Sequence, residues 1–163
     1  AGFTTVRLYT INEKNKQALP YLIQGEKINY FELIDEDAQK ITASDLDAKQ
    51  RPALIFIFSR PCSPCDKNIL YWRKMRQILK DRVEFYGIVL NNAAVALNFA
   101  DKAKLNFKVY IPSDLEQFIK KLRIRLNLSQ TILYSHNQVI YLKLGKLEGN
   151  DATQIINMTK KLI

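Results

Sequence analysis

The sequence contains few of the residues that are typical of disulfide-rich, fibrous or disordered chains. Among its 163 residues are two cysteines, one histidine, five glycines and five prolines. Glycine and proline are too scarce for a disordered or fibrous chain, and the length suffices for a hydrophobic core that needs no staples. Hydrophobic residues make up 47% and charged residues 25%. These fractions are close to the average for globular proteins, so we expect a compact fold.

Long hydrophobic runs are also absent. The longest run, ALIFIF at 53–58, is far shorter than the roughly 20 residues that a membrane-spanning helix requires. The opening AGFTTVRLYT lacks the charged and apolar regions of a signal peptide, so we expect that any targeting segment has been removed or never existed. No repeat, low-complexity tract or glycine-, serine- or proline-rich linker divides the chain, which predicts one domain over residues 1–163.

Acidic residues are too few to balance the basic ones, which leaves a net charge of +9. Such a charge raises the question of an anionic partner, because clusters of lysine and arginine attract nucleic acid and acidic membranes. The basic residues recur along the whole chain, and the densest group, KKLRIR at 120–125, has apolar residues between its charges. This spacing is typical of an amphipathic helix end with a solvated basic face, so we predict no nucleic-acid partner.

The hydrophobic pattern predicts strands that alternate with helices. ALIFIF is an unbroken β-prone run, which is typical of a strand buried on both faces. Predicted strands cover residues 28–35, 53–58, 83–90, 107–111, 131–134 and 138–144. Predicted helices cover residues 63–80 and 91–105, a segment opened by Pro112, Ser113 and Asp114, and a last helix capped by Asp151. This order predicts an α/β fold in which helices cover both faces of a mixed sheet.

Two of the predicted helices carry an apolar stripe at spacings of three and four residues, which marks the side that faces the core. The first stripe consists of Cys65, Ile69, Trp72, Met75 and Leu79. The second consists of Leu115, Phe118, Ile119 and Leu122. We expect these side chains to be buried, and we expect His136 to be a polar residue in the turn between the last two strands.

Both cysteines lie in one short segment, FSRPCSPC at 58–65, directly after the buried strand. Cys62 and Cys65 stand three positions apart where a helix begins, and there backbone N–H groups and the helix dipole favour negative charge. An unperturbed thiol has a pKa of about 8.5, and such a position lowers the pKa to roughly 3.5 to 7.5, with help from Arg60 and Lys67. We predict that Cys62 attacks a disulfide and that Cys65, which lies deeper, resolves the mixed disulfide.

Three other roles for the cysteine pair stay open at this point. A structural disulfide would close so short a loop that it stabilises little. A zinc site needs four ligands, and the only histidine, His136, is remote in sequence. The two cysteines can also be ordinary buried residues. Thiol chemistry is favoured because a CxxC pair beside a βαβ pattern is a signal for a redox motif, and Pro64 suits the first turn of its helix.

With these motifs the chain resembles the thioredoxin-like superfamily, in particular the TlpA/ResA-type thiol-disulfide oxidoreductases and their AhpC/TSA and peroxiredoxin relatives. The segments that carry the resemblance are FELIDEDAQKITASDL at 31–46, ALIFIFSRPCSPC at 53–65, VEFYGIVLN at 83–91 and QTILYSHNQVIYLKLG at 130–145. The resemblance implies a thioredoxin-like fold, with a central mixed β-sheet flanked by helices and an N-terminal β-hairpin extension. It also implies that Cys62 and Cys65 are catalytic in disulfide exchange.

Several positions depart from the family pattern. Pro61 replaces the tryptophan that usually precedes the first cysteine, and Gln130 replaces a cis-proline whose backbone pairs with the bound peptide. Phe56 and Asn68 stand where thioredoxins and ResA-type proteins keep an acid that takes up the proton of the second thiol. The residues expected to shape the site are Pro61, Ser63, Pro64, Gln130 and Thr131.

Other functions of the same fold remain as alternatives. A thiol peroxidase carries P-x-x-x-T/S-x-x-C, and here Ser59 is present while Ile55 takes the place of the proline. Copper delivery of the Sco type requires CxxxC and a histidine near Leu128, and neither is present. A degenerate binding module without catalysis would explain the departures at Gln130 and at the two acid positions.

The resemblance also implies a setting for the protein. We expect a monomer without cofactor or metal, which exchanges electrons with protein thiols or disulfides and with an upstream redox partner. Proteins of this kind work outside the cytoplasm, in the periplasm or held at the membrane by an N-terminal tether. The lack of further cysteines is consistent with an oxidising compartment.

Overall fold

The computed structural model describes residues 20–60 and 65–163. The helices are α1 (Ala43–Ala48), α2 (Cys65–Leu79), α3 (Ala93–Lys102), α4 (Leu115–Leu122) and α5 (Gly149–Lys161), with a 3-10 turn at Lys80–Arg82. The strands are β1 (Leu33–Ile34), β2 (Lys40–Ile41), β3 (Ala53–Phe58), β4 (Glu84–Val89), β5 (Val109–Pro112), β6 (Gln130–Ser135) and β7 (Gln138–Leu144). The predicted alternation of strands and helices is confirmed.

The strands of the described chain form one mixed sheet in the order β2-β1-β5-β4-β3-β6-β7. β3, β4 and β5 are parallel neighbours joined through α2 and α3, and β6 returns antiparallel to β3. β6 and β7 form the predicted hairpin, with His136 and Asn137 in its turn at φ values of 52° and 62°. Two positive φ values are typical of a type I′ turn, whose twist matches the strands that it joins. Ser135 belongs to β6 rather than to the turn.

Strand β3 is buried on both faces, as its unbroken apolar run predicts. Successive side chains of a strand point to opposite faces, so the run divides between two cores. The core beneath α2, α3 and α5 receives Leu54, Phe56 and Phe58. The opposite core, which also includes residues of α1 and α4, receives Ala53, Ile55 and Ile57. The sheet is therefore the middle layer between two layers of helices.

The predicted stripe of α4 is only partly buried. Phe118 and Leu122 are buried and Ile119 is half-buried, but Leu115 is 40% exposed. Leu115 is the first residue of α4, directly after the N-cap Asp114. Because side chains of a helix tilt toward its N-terminus, the side chain of the first residue projects past the helix end instead of onto the core. On α2 the described stripe residues are all buried, namely Ile69, Trp72, Met75 and Leu79.

The predicted strand over residues 28–35 is reduced to β1. Its two residues lie between two partners: Leu33 opposes Pro112 of β5 and Ile41 of β2, and Ile34 opposes the neighbouring residues. The residues just before β1 bury apolar side chains without joining the ladder. The apolar pattern thus predicts burial correctly here, but strand pairing extends only as far as the short strand β5 runs alongside.

The start of α5 also differs from the prediction. The N-cap is Glu148, and Asp151 is the third helical residue, whose carboxylate accepts a hydrogen bond from the Glu148 N–H at 2.8 Å. This bond is the half of a capping box in which the side chain of the third helical residue bonds the backbone of the N-cap. Asp151 therefore stabilises the first turn from inside it. Within the two described ranges, no helix has both the length and the apolar character that crossing a bilayer demands.

Residues 22–31, here called the crossing segment, run over the face of the sheet that α4 covers. At one end, Gly25 and Glu26 exchange backbone hydrogen bonds with Val139 of β7, each 2.8 Å long. At the other end the chain enters the sheet as β1, on the far side of β5. Its buried side chains belong to the core on that face. The crossing segment therefore contacts elements near both edges of the sheet.

A buried ion pair anchors the crossing segment. Oε1 of Glu26 lies 2.5 Å from Nη2 of Arg123, and Oε2 accepts a hydrogen bond from the N–H of Ile23 at 2.8 Å. Arg123 is the C-cap of α4 and has a φ of 58°, and its carbonyl accepts from the N–H of Leu22 at 3.3 Å. A buried carboxylate is tolerated only when it is paired and hydrogen-bonded. These contacts fix the crossing segment to the end of α4.

Tyr134 on β6 predicts a loss of stability at alkaline pH. Burial is the main cause that raises the pKa of Tyr134 to about 12, and its hydroxyl donates to Oδ1 of Asp47 at 3.0 Å. Above about pH 10 the unfolded chain loses this proton while the folded protein keeps it, so stability is complete below pH 10 and falls toward pH 12. We expect Tyr134 to account for a loss of about 3 kcal/mol over this range, at roughly 1.4 kcal/mol per pKa unit.

Chemical denaturation of the wild type and of Tyr134→Phe at several pH values from about 9 to 12 measures this loss. Burial also raises the pKa values of Tyr86 and Tyr110, and both remain in the variant. The difference between the two slopes therefore isolates Tyr134. Parallel slopes for the two proteins would show that the phenol of Tyr134 does not carry the effect.

Candidate functional site

The candidate site lies where β3 ends and α2 begins. β3 ends at Phe58, and α2 begins at Cys65. Four residues predicted for the site, Pro61, Cys62, Ser63 and Pro64, lie outside the described residues, and Cys65 is described by its backbone in the first turn of α2. The described surroundings come from β3, α2, β6 and the residues that follow β4.

Gln130 and Thr131 open β6 and lie beside the end of β3. Gln130 is opposite Ile57, and Thr131 is opposite Phe56. Both side chains are buried. The Thr131 hydroxyl accepts a hydrogen bond from Nε1 of Trp72 at 3.0 Å. Nε2 of Gln130 donates to the carbonyl of Arg125, in the loop before β6, at 3.4 Å. The fold thus brings both predicted residues to the end of β3 from which the cysteine motif continues.

An aromatic stack fills the position where thioredoxins keep a buried acid. Phe56 stacks on the indole of Trp72, with ring centroids 4.9 Å apart and ring planes at 14°. Phe58 packs on the same indole at 5.2 Å. Stacked aromatic pairs contribute roughly 0.5–1.5 kcal/mol beyond the area that they bury. This position therefore has no group that can accept a proton. The phenylalanine packs β3 against α2 instead.

Asn68 lies one turn after Cys65 and ties α2 to the strands beside it. Its side chain is fully buried. Nδ2 donates to the hydroxyl of Ser129 at 2.9 Å and to the carbonyl of Gly145 at 3.0 Å, and Oδ1 accepts from the N–H of Leu147 at 2.7 Å. Both amide N–H groups and the carbonyl are thus in use. Asn68 thus stands where ResA-type proteins keep an acid, but its side chain is neutral. It joins α2 to the residues that directly precede β6 and follow β7.

Arg60 is the last described residue before the motif, and side chains from three elements hold it. The Asn91 side chain brackets its backbone: Oδ1 accepts from the Arg60 N–H at 2.8 Å, and Nδ2 donates to the Arg60 carbonyl at 3.2 Å. Its guanidinium lies 4.5 Å above the ring of Phe99. Nη1 lies 3.5 Å from Oδ1 of Asp66. The arginine is thereby oriented from the end of β4, α2 and α3 together.

A metal-binding cluster is not found in the part of the chain that the structure describes, where no three histidine, cysteine, aspartate or glutamate side chains converge. His136 lies in the hairpin turn, and its Nδ1 is 2.9 Å from the hydroxyl of Ser135. This turn lies at the end of β6 opposite to Gln130. His136 is thus at the far end of β6 from the candidate site.

The model of the AhpC/TSA family matches residues 24–142. The chain belongs to this family. The matched range includes β3, the cysteine motif, α2 and both residues at the start of β6. No curated protein matches the chain.

Solved structures of thiol-disulfide oxidoreductases share the fold of this AhpC/TSA chain. The thioredoxin domain of such an enzyme from Bacteroides vulgatus gives a TM-score of 0.72 at 17% identity, covering 84% of this chain and 97% of that one. One from Bacteroides fragilis gives 0.69 at 19%, covering 85% and 100%. StoA from Bacillus subtilis gives 0.63 at 18%, covering 81% and 97%. The predicted thioredoxin-like fold, with its central mixed sheet, and the predicted relationship to the AhpC/TSA proteins are confirmed.

Two polar residues at the site of this AhpC/TSA chain, Asn91 and Ser129, were not predicted from the sequence. Asn91 and Asn92 follow β4, and the side chain of Asn92 caps α3 by accepting from the Val95 N–H. Because one asparagine suffices for the cap, the second is available to bracket the backbone of Arg60. Ser129 directly precedes Gln130, but its partner on α2 is 61 residues away, so no local pattern indicates the contact.

Replacing Asn68 is expected to lower stability more than replacing an exposed asparagine. Asn68→Ala leaves the buried N–H of Leu147 without an acceptor and removes one bond each from the Ser129 hydroxyl and the Gly145 carbonyl, which keep their 3.1 Å bond to each other. An unsatisfied buried group costs roughly 1–3 kcal/mol and each other lost hydrogen bond about 0.5–1.5 kcal/mol, so we expect the free energy of unfolding to fall by about 2–4 kcal/mol. Equilibrium denaturation measures the change.

Asn106→Ala is the matched control. Asn106 is exposed, and its amide donates one hydrogen bond of 3.0 Å to the carbonyl of Arg73. Water replaces such a bond, so we expect a change within about 0.5 kcal/mol. Similar losses for the two variants would refute the role assigned to the buried amide.

Proposed function

We propose that the protein is a thiol-disulfide oxidoreductase that exchanges electrons with protein disulfides through Cys62 and Cys65. The observation that best supports this is that α2, a helix of 15 residues, begins at Cys65 shortly after the buried strand β3. The helix dipole and the free N–H groups of such a first turn favour a thiolate. Membership of the AhpC/TSA family and the fold shared with thiol-disulfide oxidoreductases add to this support.

The proposed reaction moves two electrons in two exchanges. The Cys62 thiolate attacks one sulfur of the substrate disulfide, forms a mixed disulfide and releases the other sulfur as a thiolate. Cys65 then gives up its proton and attacks Sγ of Cys62, which releases the second substrate thiolate and leaves a Cys62–Cys65 disulfide. The protein dithiol is oxidised and the substrate disulfide is reduced. An upstream dithiol partner restores the pair by the same exchanges, and the reverse sequence oxidises a substrate.

The proton of Cys65 goes to water in this proposal. Phe56 and Asn68 occupy the two positions at which an acid is expected, and both are neutral. Phe56 is stacked on Trp72, and the Asn68 amide has its hydrogen bonds complete. The resolving step therefore depends on the fraction of Cys65 that is ionised, so its rate rises with pH up to the pKa of that thiol.

The residues around the cysteines shape the site without taking part in the exchange. Gln130 and Thr131 lie at the end of β3 from which the motif continues, so a substrate segment that reaches the cysteines passes beside them. Pro61, Ser63 and Pro64 flank the two cysteines in the sequence, and the proposal assigns them to the shape of the site. This assignment of site residues is part of the proposal.

The AhpC/TSA match keeps a thiol peroxidase as the second candidate. Ile55 occupies the proline position of the peroxidase motif and is fully buried inside β3. A buried strand residue at that position supports disulfide exchange over peroxide reduction. A binding module without catalysis is the non-enzymatic alternative, because Gln130 and Asn68 both depart from the family pattern.

The setting that goes with this function is also proposed. A single thioredoxin-like domain that acts as a monomer would meet its protein partners outside the cytoplasm, in the periplasm or at the outer face of a membrane. The even spread of basic residues continues to argue against nucleic acid as a partner. The reaction as written needs no cofactor or metal.

A turbidity assay of insulin reduction with dithiothreitol tests the function. The wild type is expected to accelerate precipitation, and Cys62→Ser is expected to lose this activity completely, because its hydroxyl is no leaving group or nucleophile for disulfide exchange. Cys65→Ser keeps the nucleophile. After it is reduced and freed of dithiothreitol, it is expected to accumulate a mixed disulfide with insulin, visible by non-reducing electrophoresis.

The same preparation separates the alternatives. Rapid consumption of hydrogen peroxide by the reduced wild type, with no reduction of insulin, would replace the proposal by the peroxidase. Insulin reduction that is equal in the wild type and in Cys62→Ser would leave only the binding module. Asn137→Ser, a change in the remote hairpin turn, is the control that should keep full activity.

A further inference from the structure

Exposed hydrophobic side chains collect in one region of the described chain. Eight large hydrophobic side chains are exposed within the described ranges, and four of these lie in two short segments. Tyr21 and Ile23 lie where the crossing segment begins, and Leu126 and Leu128 lie in the loop between α4 and β6. Single exposed apolar residues are normal on a protein surface, whereas a group of them marks an interaction site.

Contacts between the two segments bring these side chains together. The N–H of Leu22 donates to the carbonyl of Arg123 at 3.3 Å, and Nη1 of Arg123 donates to the carbonyl of Tyr21, also at 3.3 Å. The guanidinium of Arg125 packs 4.0 Å from the centre of the Tyr21 ring. The two segments therefore share one surface. Its members, here called the basic-apolar patch, are Tyr21, Ile23, Arg125, Leu126 and Leu128.

The surroundings of the basic-apolar patch are positively charged. Residues 117–129 contain four basic residues and no acidic one, and residues 20–25 contain no acidic one either. Glu26, the next carboxylate along the crossing segment, is 5% exposed and is paired with Arg123. Within the ranges that the structure describes, Arg125 forms no ion pair. The densest basic group of the sequence, KKLRIR at 120–125, thus borders an apolar surface and leaves one of its arginines available to an anion.

Described contacts connect the basic-apolar patch to the candidate site. Leu128 lies beside Gly145, because a methyl group added to that glycine would be 3.9 Å from Cδ2 of the leucine. The carbonyl of Gly145 accepts from Asn68 on α2. The side chain of Gln130 donates to the carbonyl of Arg125 at 3.4 Å. The patch therefore begins next to the residues that join the first turns of α2 to the start of β6.

We propose that protein substrates of the disulfide exchange dock on the basic-apolar patch, which selects segments that carry an apolar side chain between acidic ones. The proposal rests on the proposed function and names its substrate class. The exposed leucines would cover the apolar side chain, and Arg125 would bind a carboxylate through its planar donor edge. Tyrosine and arginine are enriched among the residues that dominate protein interfaces. Because Arg125 is already stacked on Tyr21, less freedom is lost when a partner binds.

Two other occupants fit this surface less well. A second copy of the chain in a symmetric contact would place Arg125 and the KKLRIR segment against themselves, and like charges repel across an interface. An acidic membrane would attract the same cations. The patch, however, adjoins the residues between α2 and β6, where a protein that reacts at the candidate site has to lie. We therefore assign the patch to a protein partner.

The test is the reduction of three model peptides, each a dimer linked by the disulfide of one cysteine. The first carries Glu-Leu-Glu a few residues from the cysteine, and the matched peptides carry Gln-Leu-Gln or Glu-Ser-Glu there. The reduced protein, freed of reductant, converts each dimer into two thiols while its own cysteine pair is oxidised, and chromatography measures the rate. We expect the Glu-Leu-Glu peptide to react about tenfold faster than either matched peptide, at equal concentrations below saturation.

Arg125→Glu and Leu126→Ser change the patch, and Lys49→Glu is the matched control for charge. Arg125→Glu is expected to abolish the preference for Glu-Leu-Glu over Gln-Leu-Gln, because the new carboxylate repels the peptide. Leu126→Ser is expected to slow the Glu-Leu-Glu peptide about fivefold. Because Leu126 is 58% exposed, this variant decides the proposal even where Arg125→Glu folds poorly. Lys49 is exposed near the hairpin turn, far from the candidate site, so Lys49→Glu should keep the preference.

A small uncharged substrate, hydroxyethyl disulfide, separates this inference from the function on which it rests. All variants should reduce it at the rate of the wild type, and a wild type that reduces neither it nor the peptides would contradict the oxidoreductase itself. Normal reduction with the same peptide preference in Arg125→Glu, Leu126→Ser and Lys49→Glu would overturn only the docking surface. A wild type without peptide preference would also overturn it. In that case, Leu126-dependent binding to phosphatidylglycerol vesicles would assign the patch to a membrane, and Leu126-dependent dimerisation would assign it to a second copy.

Discussion

Three hydrogen bonds from the side chain of Asn68 fix the first turns of α2 against the ends of β6 and β7. α2 begins at Cys65 and β6 begins at Gln130, so this amide determines how the cysteine end of the helix lies relative to the start of the strand. Trp72, one turn further on, repeats the connection through the hydroxyl of Thr131. A neutral amide satisfied in this way adds rigidity without adding a titratable group. The charges of the site must then come from other residues, and the proton of the resolving thiol goes to water in the proposed reaction.

Where local patterns determine the structure, the sequence predicts it. The unbroken run of β3 and the three- and four-residue spacing on α2 each reflect burial of one stretch of chain, and both are as predicted. The predicted strand over residues 28–35 is too long because pairing depends on β5, a partner distant in sequence. The spacing of Leu115 fits the buried stripe, but spacing does not show where a helix begins. These errors all concern contacts or ends that a local window does not contain.

The candidate site was likewise predicted only where a local pattern indicates it. The CxxC spacing after a strand is a local signal, and by itself it directs attention to Cys62 and Cys65. The resemblance to thioredoxin-like proteins identifies Gln130 and Asn68 as departures, but it does not say what replaces the missing groups. Only the fold shows that Asn68 bonds two segments more than 60 residues away, because such contacts leave no periodic trace in the sequence.

The crossing segment ties distant parts of the sheet together. It bonds β7 at one end and continues into β1 at the other, and its buried side chains belong to the core between these ends. Detaching the β6–β7 hairpin therefore also requires releasing this belt and uncovering the core beneath it. Partial opening of the sheet from the β7 edge therefore costs more than the release of an edge strand that nothing holds. The amide protons of the hairpin should then exchange with solvent more slowly than its place at the margin of the sheet alone would suggest.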